Sequence, residues 1–302
     1  MAEEAGKGHP HHIFDRIFKR LMHLSSGAVI TFINALFGTK HPLSARVEYL
    51  TTEHISDTLK QWIGDTLICI DSYYKYWLEV QKAGDEEMSF RIWNYSYLEG
   101  LKGKKTAGAV TEITLVPAVV IYLEPTAQTP DRLTVKLKDM EGETHVFKYP
   151  VLKLLEYTIG ELEERELVLL VPFYLLKLRK RVRAGKGLEA VSKELKRLVG
   201  ELGTVVASGV RKGQLAEQDM RIMIGLMGRL YEHLYKTYPE LEEASKVVED
   251  MLLTVVDEAE TIKACEIAQY LIRKGWDRRE VVEATKLDQA TVESLYERRG
   301  EG

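Results

Sequence analysis

The stretch Asp65-Thr-Leu-Ile-Cys-Ile-Asp-Ser-Tyr-Tyr-Lys-Tyr-Trp-Leu-Glu79-Val80-Gln81 sets two apolar runs on either side of a short polar turn, and it reads as a β-hairpin. Side chains in a strand alternate faces, so Asp65, Leu67 and Cys69 share one face of the first strand, while Trp77, Glu79 and Gln81 share a face of the second. With the turn centred on Tyr73, antiparallel pairing sets Asp65 opposite Gln81 and Leu67 opposite Glu79. Asp65 and Glu79 then become diagonal neighbours, roughly 7–8 Å apart at Cβ. A slip of one residue would send Glu79 to the other face.

Two like charges about 4 Å apart repel by about 4 kcal/mol at an effective dielectric near 20. A divalent cation reverses that sign, and hard oxygen ligands at a sheet edge suit Mg2+ or Mn2+. The plainer alternative stays open: Asp65 starts a strand after Gly64, and Glu79 sits on a solvated face.

The order of elements adds to this reading. Apolar residues at 13, 14, 17, 18, 21, 22 and 24 follow a helical period, Ser25 or Ser26 suits the cap of a second helix through Phe37, and Gly38 suits its end. The segment 45–53 reads as a strand with Glu53 at its end, aimed at the place where Asp65 and Glu79 converge. Glu53 is therefore a candidate third carboxylate, with a solvent-facing glutamate as the alternative. After the hairpin, 85–99 reads as a helix capped by Asp85, with Met88, Arg91 and Tyr95 on one side, and 117–123 is the most apolar strand.

That order, with Asp on the second strand and Glu-x-Gln on the third, resembles the PD-(D/E)XK nuclease superfamily, and more closely its transposase-like members related to the recombination-promoting nucleases. The residues that carry the resemblance are His12-Ile-Phe-Asp15-Arg-Ile-Phe-Lys19, Asn34-Ala-Leu-Phe-Gly38, Thr52-Glu53, Asp65, Glu79-Val-Gln81, Asp85, Met88, Arg91, Tyr95 and Leu-Val-Pro-Phe-Tyr-Leu-Leu-Lys at 170–177. It covers about the first 185 residues. The fold it implies is α/β, a restriction-endonuclease-like core of mixed sheet flanked by helices, followed here by an all-α extension. The activity it implies is metal-dependent DNA endonuclease chemistry: Asp65, Glu79 and the Val80 carbonyl hold Mg2+ or Mn2+, and Gln81 and Glu53 complete the catalytic set. The superfamily motif usually ends in Lys; at Gln81 an amide orients water and donates a hydrogen bond without bringing charge. Arg91 and Tyr95 are the expected nucleic-acid contacts on the adjoining helix. A nuclease-derived adaptor without activity, binding nucleic acid or protein, is the alternative.

Net charge is only −4, so the chain is not basic throughout. Lys177, Arg179, Lys180, Arg181, Arg183 and Lys186 nevertheless put six bases into ten residues. They form either a solvated helix face or a phosphate-binding surface that is blind to sequence. The segment 240–260 carries eight acids against Lys246 alone. Two cysteines, Cys69 and Cys265, are too few for a disulfide framework, and Cys69 reads as a buried small hydrophobe. No apolar run reaches the ~18 residues of a membrane span, and the expected address is the cytoplasm.

The expected organisation is a disordered tail over 1–12, in which His9, His11 and His12 crowd without fixed geometry, then a nuclease-like domain over 13–185. A helical extension over 186–260 and a helix-turn-helix-like module over 261–302 follow, and homo-oligomerisation through these helices is a further expectation. Leu133–Leu137 and His145–Tyr149 read as a hairpin. Expected helices run over 188–202, 214–236, 240–274, 278–285 and 289–298. Ile267, Leu271, Gly275, Val281, Val282, Leu287, Val292 and Leu295 form the skeleton of the last module, whose final helix carries Glu293 and Glu297 and has its bases, Arg298 and Arg299, only at the end.

Overall fold

The computed structural model describes residues 11–50, 53–55, 61–63, 66–184, 188–238, 241, 250, 261 and 264–300. Asp65 and Lys186, and most of the acidic stretch 240–260, lie outside the described residues.

The hairpin forms as β4 (Thr66–Ile70) and β5 (Tyr74–Gln81), but its register is two residues away from the expected one. Leu67 faces Trp77, and Thr66 faces Leu78. The turn is the cause. Asp71 and Ser72 adopt φ of 51° and 58°, and the Tyr73 N–H donates to the Ile70 carbonyl at 3.1 Å. Two successive left-handed residues match the twist of a hairpin, and Asp tolerates that region because its short side chain finds local partners. Here the Asp71 carboxylate accepts the Arg46 N–H at 2.9 Å, while its own N–H donates to the Arg46 carbonyl at 2.9 Å. An even slip preserves faces, so Leu67, Trp77 and Glu79 remain on one side.

Strand β1 (Val47–Leu50) pairs antiparallel with β4. The expected single strand over 45–53 is broken: Glu53 opens a separate strand, β2 (Glu53–Ile55), which pairs with β3 (Gln61–Ile63) outside the main sheet. After β5 the chain crosses through α3 (Met88–Lys102) and a small exposed ladder, β6 (Lys105–Ala107) with β7 (Val110–Glu112), to reach β8 (Ala118–Tyr122), parallel to β5. The expected hairpin follows as β9 (Arg132–Lys138) and β10 (Thr144–Lys153), and the last residues of β10 add parallel to β8. The result is a six-stranded mixed sheet in the order β1-β4-β5-β8-β10-β9. Strand β8 is buried along its whole length, as a central strand covered on both faces must be.

Alternation divides the sheet between two cores. Ile68, Ile70, Tyr76, Leu78, Val119 and Ile121 face α1 (His11–Met22), α2 (Ser26–Phe37) and the later helices. Leu67, Trp77, Ala118, Val120 and Tyr122 face Met88, Ile92 and Tyr95 of α3. Helix α1 begins at His11, so His11 and His12 are helical, whereas the expected tail over 1–12 places them outside the helix; the rest of that tail, His9 included, lies outside the described residues. Ser25 caps α2 as expected, accepting the Ala28 N–H at 3.3 Å. Cys69 is buried, and burial foremost, followed by Glu48, pushes its thiol pKa up.

Helix α4 (Ile159–Glu164) starts at a capping box on Thr158, and a 3-10 helix (Val168–Leu178) then runs through the core into α5 (Arg179–Arg183). Helix α6 (Leu188–Arg211) continues past its expected end at 202, and α7 (Glu217–Tyr235) returns beside it. Gly209 permits the close turn between them, because a Cβ there would stand 3.0 Å from Leu215 Cδ1. The large core is continuous from Phe14 to Leu241, so α6 and α7 bury against the same cluster as the sheet.

The last helices have their own core of Ala268, Ile272, Val281, Leu287, Val292 and Leu295. A helical stretch over 264–273 turns at Gly275 (φ 88°), Asp277 caps Arg278–Thr285, and Lys286 (φ 60°) leads into the helix Gln289–Gly300. In the first of these helices Ala268 and Ile272 take the inner positions, while Ile267 is 44% exposed and Leu271 only partly buried. That is a one-residue rotation from the expected skeleton. Among the described residues no single helix is long and apolar enough to cross a membrane.

The far end of α3 carries a pH-sensitive clasp. Buried Glu99 accepts from Lys75 of β5 at 2.7 Å and pairs with Lys102 at 2.6 Å. Burial pushes its pKa up, but the bonds from Lys102 and Lys75 outweigh burial and leave it below the ordinary glutamate value. A depressed folded-state pKa contributes stability that is present above the unfolded pKa and is lost as pH falls through the folded one. Glu99→Gln is expected to cost about 1–3 kcal/mol at neutral pH. The gap to the parent should close in acid below the glutamate range; urea unfolding of both proteins across that range checks it.

Candidate active site

Glu79 lies near the carboxyl end of β5, where the apolar face shared with α3 runs out, and it is 1% exposed. Burying a carboxylate is costly unless it is paired and hydrogen-bonded. Helix α3 supplies the partner. Arg91 Nη2 donates to Glu79 Oε1 at 2.7 Å, its Nη1 donates to Asp85 Oδ2 at 2.7 Å, and its Nε reaches the Tyr95 hydroxyl at 3.4 Å. Gln81, two residues along the strand and on the same face, donates from Nε2 to Glu79 Oε1 at 3.2 Å. One guanidinium therefore bridges a strand carboxylate and a loop carboxylate, and an amide completes the set.

The loop carboxylate is held in turn by its own backbone neighbourhood. Asp85 Oδ1 accepts the Glu87 N–H at 3.0 Å, and its carbonyl accepts the Met88 N–H at 3.2 Å. Asp85 thus organises the turn before α3, and the helix itself starts at Met88 rather than directly after Asp85. Burial alone would lower the Arg91 pKa, but the Tyr95 hydroxyl and the charges of Glu79 and Asp85 raise it overall, so the guanidinium stays charged. Tyr122 of β8, the ladder partner of Gln81, closes the cluster. Its phenol pKa is pushed up by burial first and then by Asp85 and Glu79, against Arg91. Tyr122 escaped the sequence reading because it sits inside an apolar run; its signal is parity, since 118, 120 and 122 share the face of α3.

The expected site residues separate into groups. Glu79, Gln81 and Arg91 come together. Val80 follows Glu79, pairs with Ile121 and packs its side chain against the opposite core. Asp65 lies outside the described residues, and Glu53 belongs to the separate β2–β3 ladder. Tyr95 is buried and stacked on Trp77 at 4.8 Å, so it offers no surface to a nucleic acid. Arg179 is also withdrawn from the expected phosphate-binding set. It is 4% exposed, donates to Glu124 Oε2 at 2.7 Å and lies over the Phe14 ring at 5.7 Å. Lys177, Lys180, Arg181 and Arg183 are exposed; Lys177 donates to the Tyr174 hydroxyl at 2.9 Å, and Arg181 pairs with Glu194.

Among the described residues the one group that brings three metal-ligating atoms within 4.8 Å of each other lies away from Glu79: Asp139, Glu143 and His145, all exposed at the β9–β10 turn. Hydrogen bonds within that turn account for it, since Asp139 accepts from the N–H groups of Glu141 and Glu143 and from His145. Comparison of the chain with protein-family models, with curated proteins and with solved structures returns no match.

Proposed function

We propose that the chain is a metal-dependent DNA endonuclease of the PD-(D/E)XK type, akin to the transposase-like and recombination-promoting members of that group, with a cytoplasmic address. The observation that carries the reading is the position of Glu79, a buried carboxylate gripped by Arg91 and Gln81 at the carboxyl end of a strand that runs parallel to its neighbour. Ligands of open α/β sheets gather beyond such strand ends. The connectivity supports the same reading, with two antiparallel strands before β5 and a helical crossover to β8 after it. Asp65 directly precedes Thr66, whose ladder partner Leu78 directly precedes Glu79.

Hard oxygen donors suit a divalent cation, and the Glu79 carboxylate, with Asp85 balancing the Arg91 charge beside it, is the described side chain of the set. Asp65, Glu79 and the Val80 carbonyl would hold Mg2+ or Mn2+. Such an ion, when bound, polarises the scissile phosphate and acidifies its water. Arg91 fixes Glu79 relative to the Asp85 turn, and Gln81 orients the carboxylate without adding charge. The exposed bases Lys177, Lys180, Arg181 and Arg183 attract phosphates without regard to sequence.

One observation favours a second reading. Glu79 Oε1 already carries both Arg91 and Gln81, an arrangement that also suits a nuclease-derived adaptor without activity, binding nucleic acid or oligomerising through its C-terminal helices. Supercoiled plasmid incubated with the purified chain and Mg2+ or Mn2+ separates the two. Nicking by the parent and none by a folded Asp65→Ala variant supports the enzyme; no nicking with either metal, while DNA binding persists, supports the adaptor.

A further inference from the structure

Helices α1 and α7 pack antiparallel. At one end the Phe14 ring lies 6.3 Å from His233, and at the other Ser25, just beyond α1, donates its N–H to Asp219 at 2.8 Å. Between them runs an open groove of about 560 Å³. Its banks are Arg16 and Arg20 from α1 and Arg221 and Arg229 from α7, over a floor that includes Ile17 and Leu226. No acid and no lysine is among the described residues that line it. Arg16 and Arg20 stand one turn apart, about 6 Å of axial rise, and Arg221 and Arg229 about 12 Å apart.

Gly225 makes the second observation. A glycine within a helix costs about 1 kcal/mol against alanine. A Cβ built at 225 meets nothing within 4 Å, so packing inside the chain does not require the glycine. Its missing side chain keeps the wall of the groove open. At the groove's end, the pKa of His233 is lowered by burial and then by Arg179 and Arg16, the direction expected beside concentrated positive charge. Helix α5, with exposed Lys180, Arg181 and Arg183, packs against α7 as well.

From this geometry we infer that the α1–α7 groove grips the phosphate backbone of nucleic acid, whether or not Glu79 supports hydrolysis. Guanidinium forks match phosphate oxygens in pairs, which ammonium groups do not, and four arginines without a lysine on two facing banks fit a polyanionic strand. The grip is blind to base sequence, because nothing in it reads base edges.

The test is fluorescence anisotropy with a fluorescein-labelled duplex in EDTA over a salt series. It uses the parent, the double variant Arg20→Gln/Arg229→Gln, Gly225→Glu, and Lys136→Gln on the exposed strand β9 as control. Arg20 and Arg229 are exposed and have no described carboxylate partner, so their truncation spares the core. The double variant is expected to bind about tenfold more weakly or worse, with the salt slope reduced by about 1.8 for two lost phosphate contacts. Gly225→Glu, which puts an acid into the groove, should weaken binding at least as much, and Lys136→Gln should match the parent. Should Gly225→Glu fail to fold, the double variant decides alone. Equal affinity and slope for the parent and the double variant, or no binding by the parent, overturns the inference. So does a loss of self-association in sedimentation with duplex binding intact, since that result assigns the groove to an acidic segment of a second copy. EDTA keeps the outcome separate from cleavage: a failure here leaves the reading of Glu79 standing, and a silent plasmid assay leaves the groove standing.

Discussion

Replacing Arg91 with methionine is expected to lower the stability of the chain by about 3–5 kcal/mol, the range seen when one member of a buried ion pair is removed. Glu79 is 1% exposed, so water cannot take over the role of the guanidinium. The same substitution takes one of its two side-chain partners from Asp85 and removes the link between the β5 end and the turn that starts the helix. A methionine of similar reach fills the space beside Tyr95, so the loss reports charge and hydrogen bonding more than volume. Adding Glu79→Gln to Arg91→Met is expected to recover part of the loss, because the amide needs no counter-charge. Denaturant midpoints for the two single variants and the double variant give the coupling directly.

Arg179→Met is expected to cost about 3 kcal/mol, near the lower end of the same range. Glu124 is 8% exposed and would lose its 2.7 Å partner, but Lys82 stands 3.9 Å from the same oxygen and takes over part of the compensation. Arg179 also covers the Phe14 ring, so some of the cost is lost contact between the sheet side of the core and α1. Arg179→Met combined with Glu124→Leu should return most of the stability, since both charges then leave the interior together. Duplex affinity should change little in Arg179→Met, in contrast to the groove variants, and anisotropy at fixed salt reads that difference.

Several features of the site were legible in the chain. Alternation along 74–81 put Glu79 and Gln81 on one face, and four-residue spacing put Arg91 and Tyr95 on one side of a helix; both hold because they depend only on period. The register was not legible, because it hangs on two left-handed residues, Asp71 and Ser72, held through the backbone of Arg46, which precedes β1 and lies 25 residues before Asp71 in the chain. Glu53 was misplaced for a similar reason: a mixed run of β-branched and polar residues gives no sign that one strand ends at Leu50 and another begins at Glu53.

The basic run illustrates a different limit. Composition counts charges but does not say which way each one points. In α5, Arg179 and Val182 turn inward while Lys180, Arg181 and Arg183 turn outward, so a buried structural arginine was grouped with surface bases. The groove arginines went unnoticed for the converse reason. Arg16, Arg20, Arg221 and Arg229 are spread over two distant segments and become a cluster only when α1 and α7 pack together.

The most direct test of the central claim is the rate of supercoiled-plasmid nicking in Mg2+ or Mn2+ by the parent and by Glu79→Gln. The variant keeps the volume and hydrogen-bonding reach of the side chain and must first show a cooperative thermal transition like that of the parent. Nicking by the parent that falls by roughly two to three orders of magnitude in Glu79→Gln, the scale of removing one group from the set that stabilises the developing charge, is the expected result. Equal nicking by the two proteins would contradict it and move the chemistry, or the contaminant responsible for it, away from Glu79.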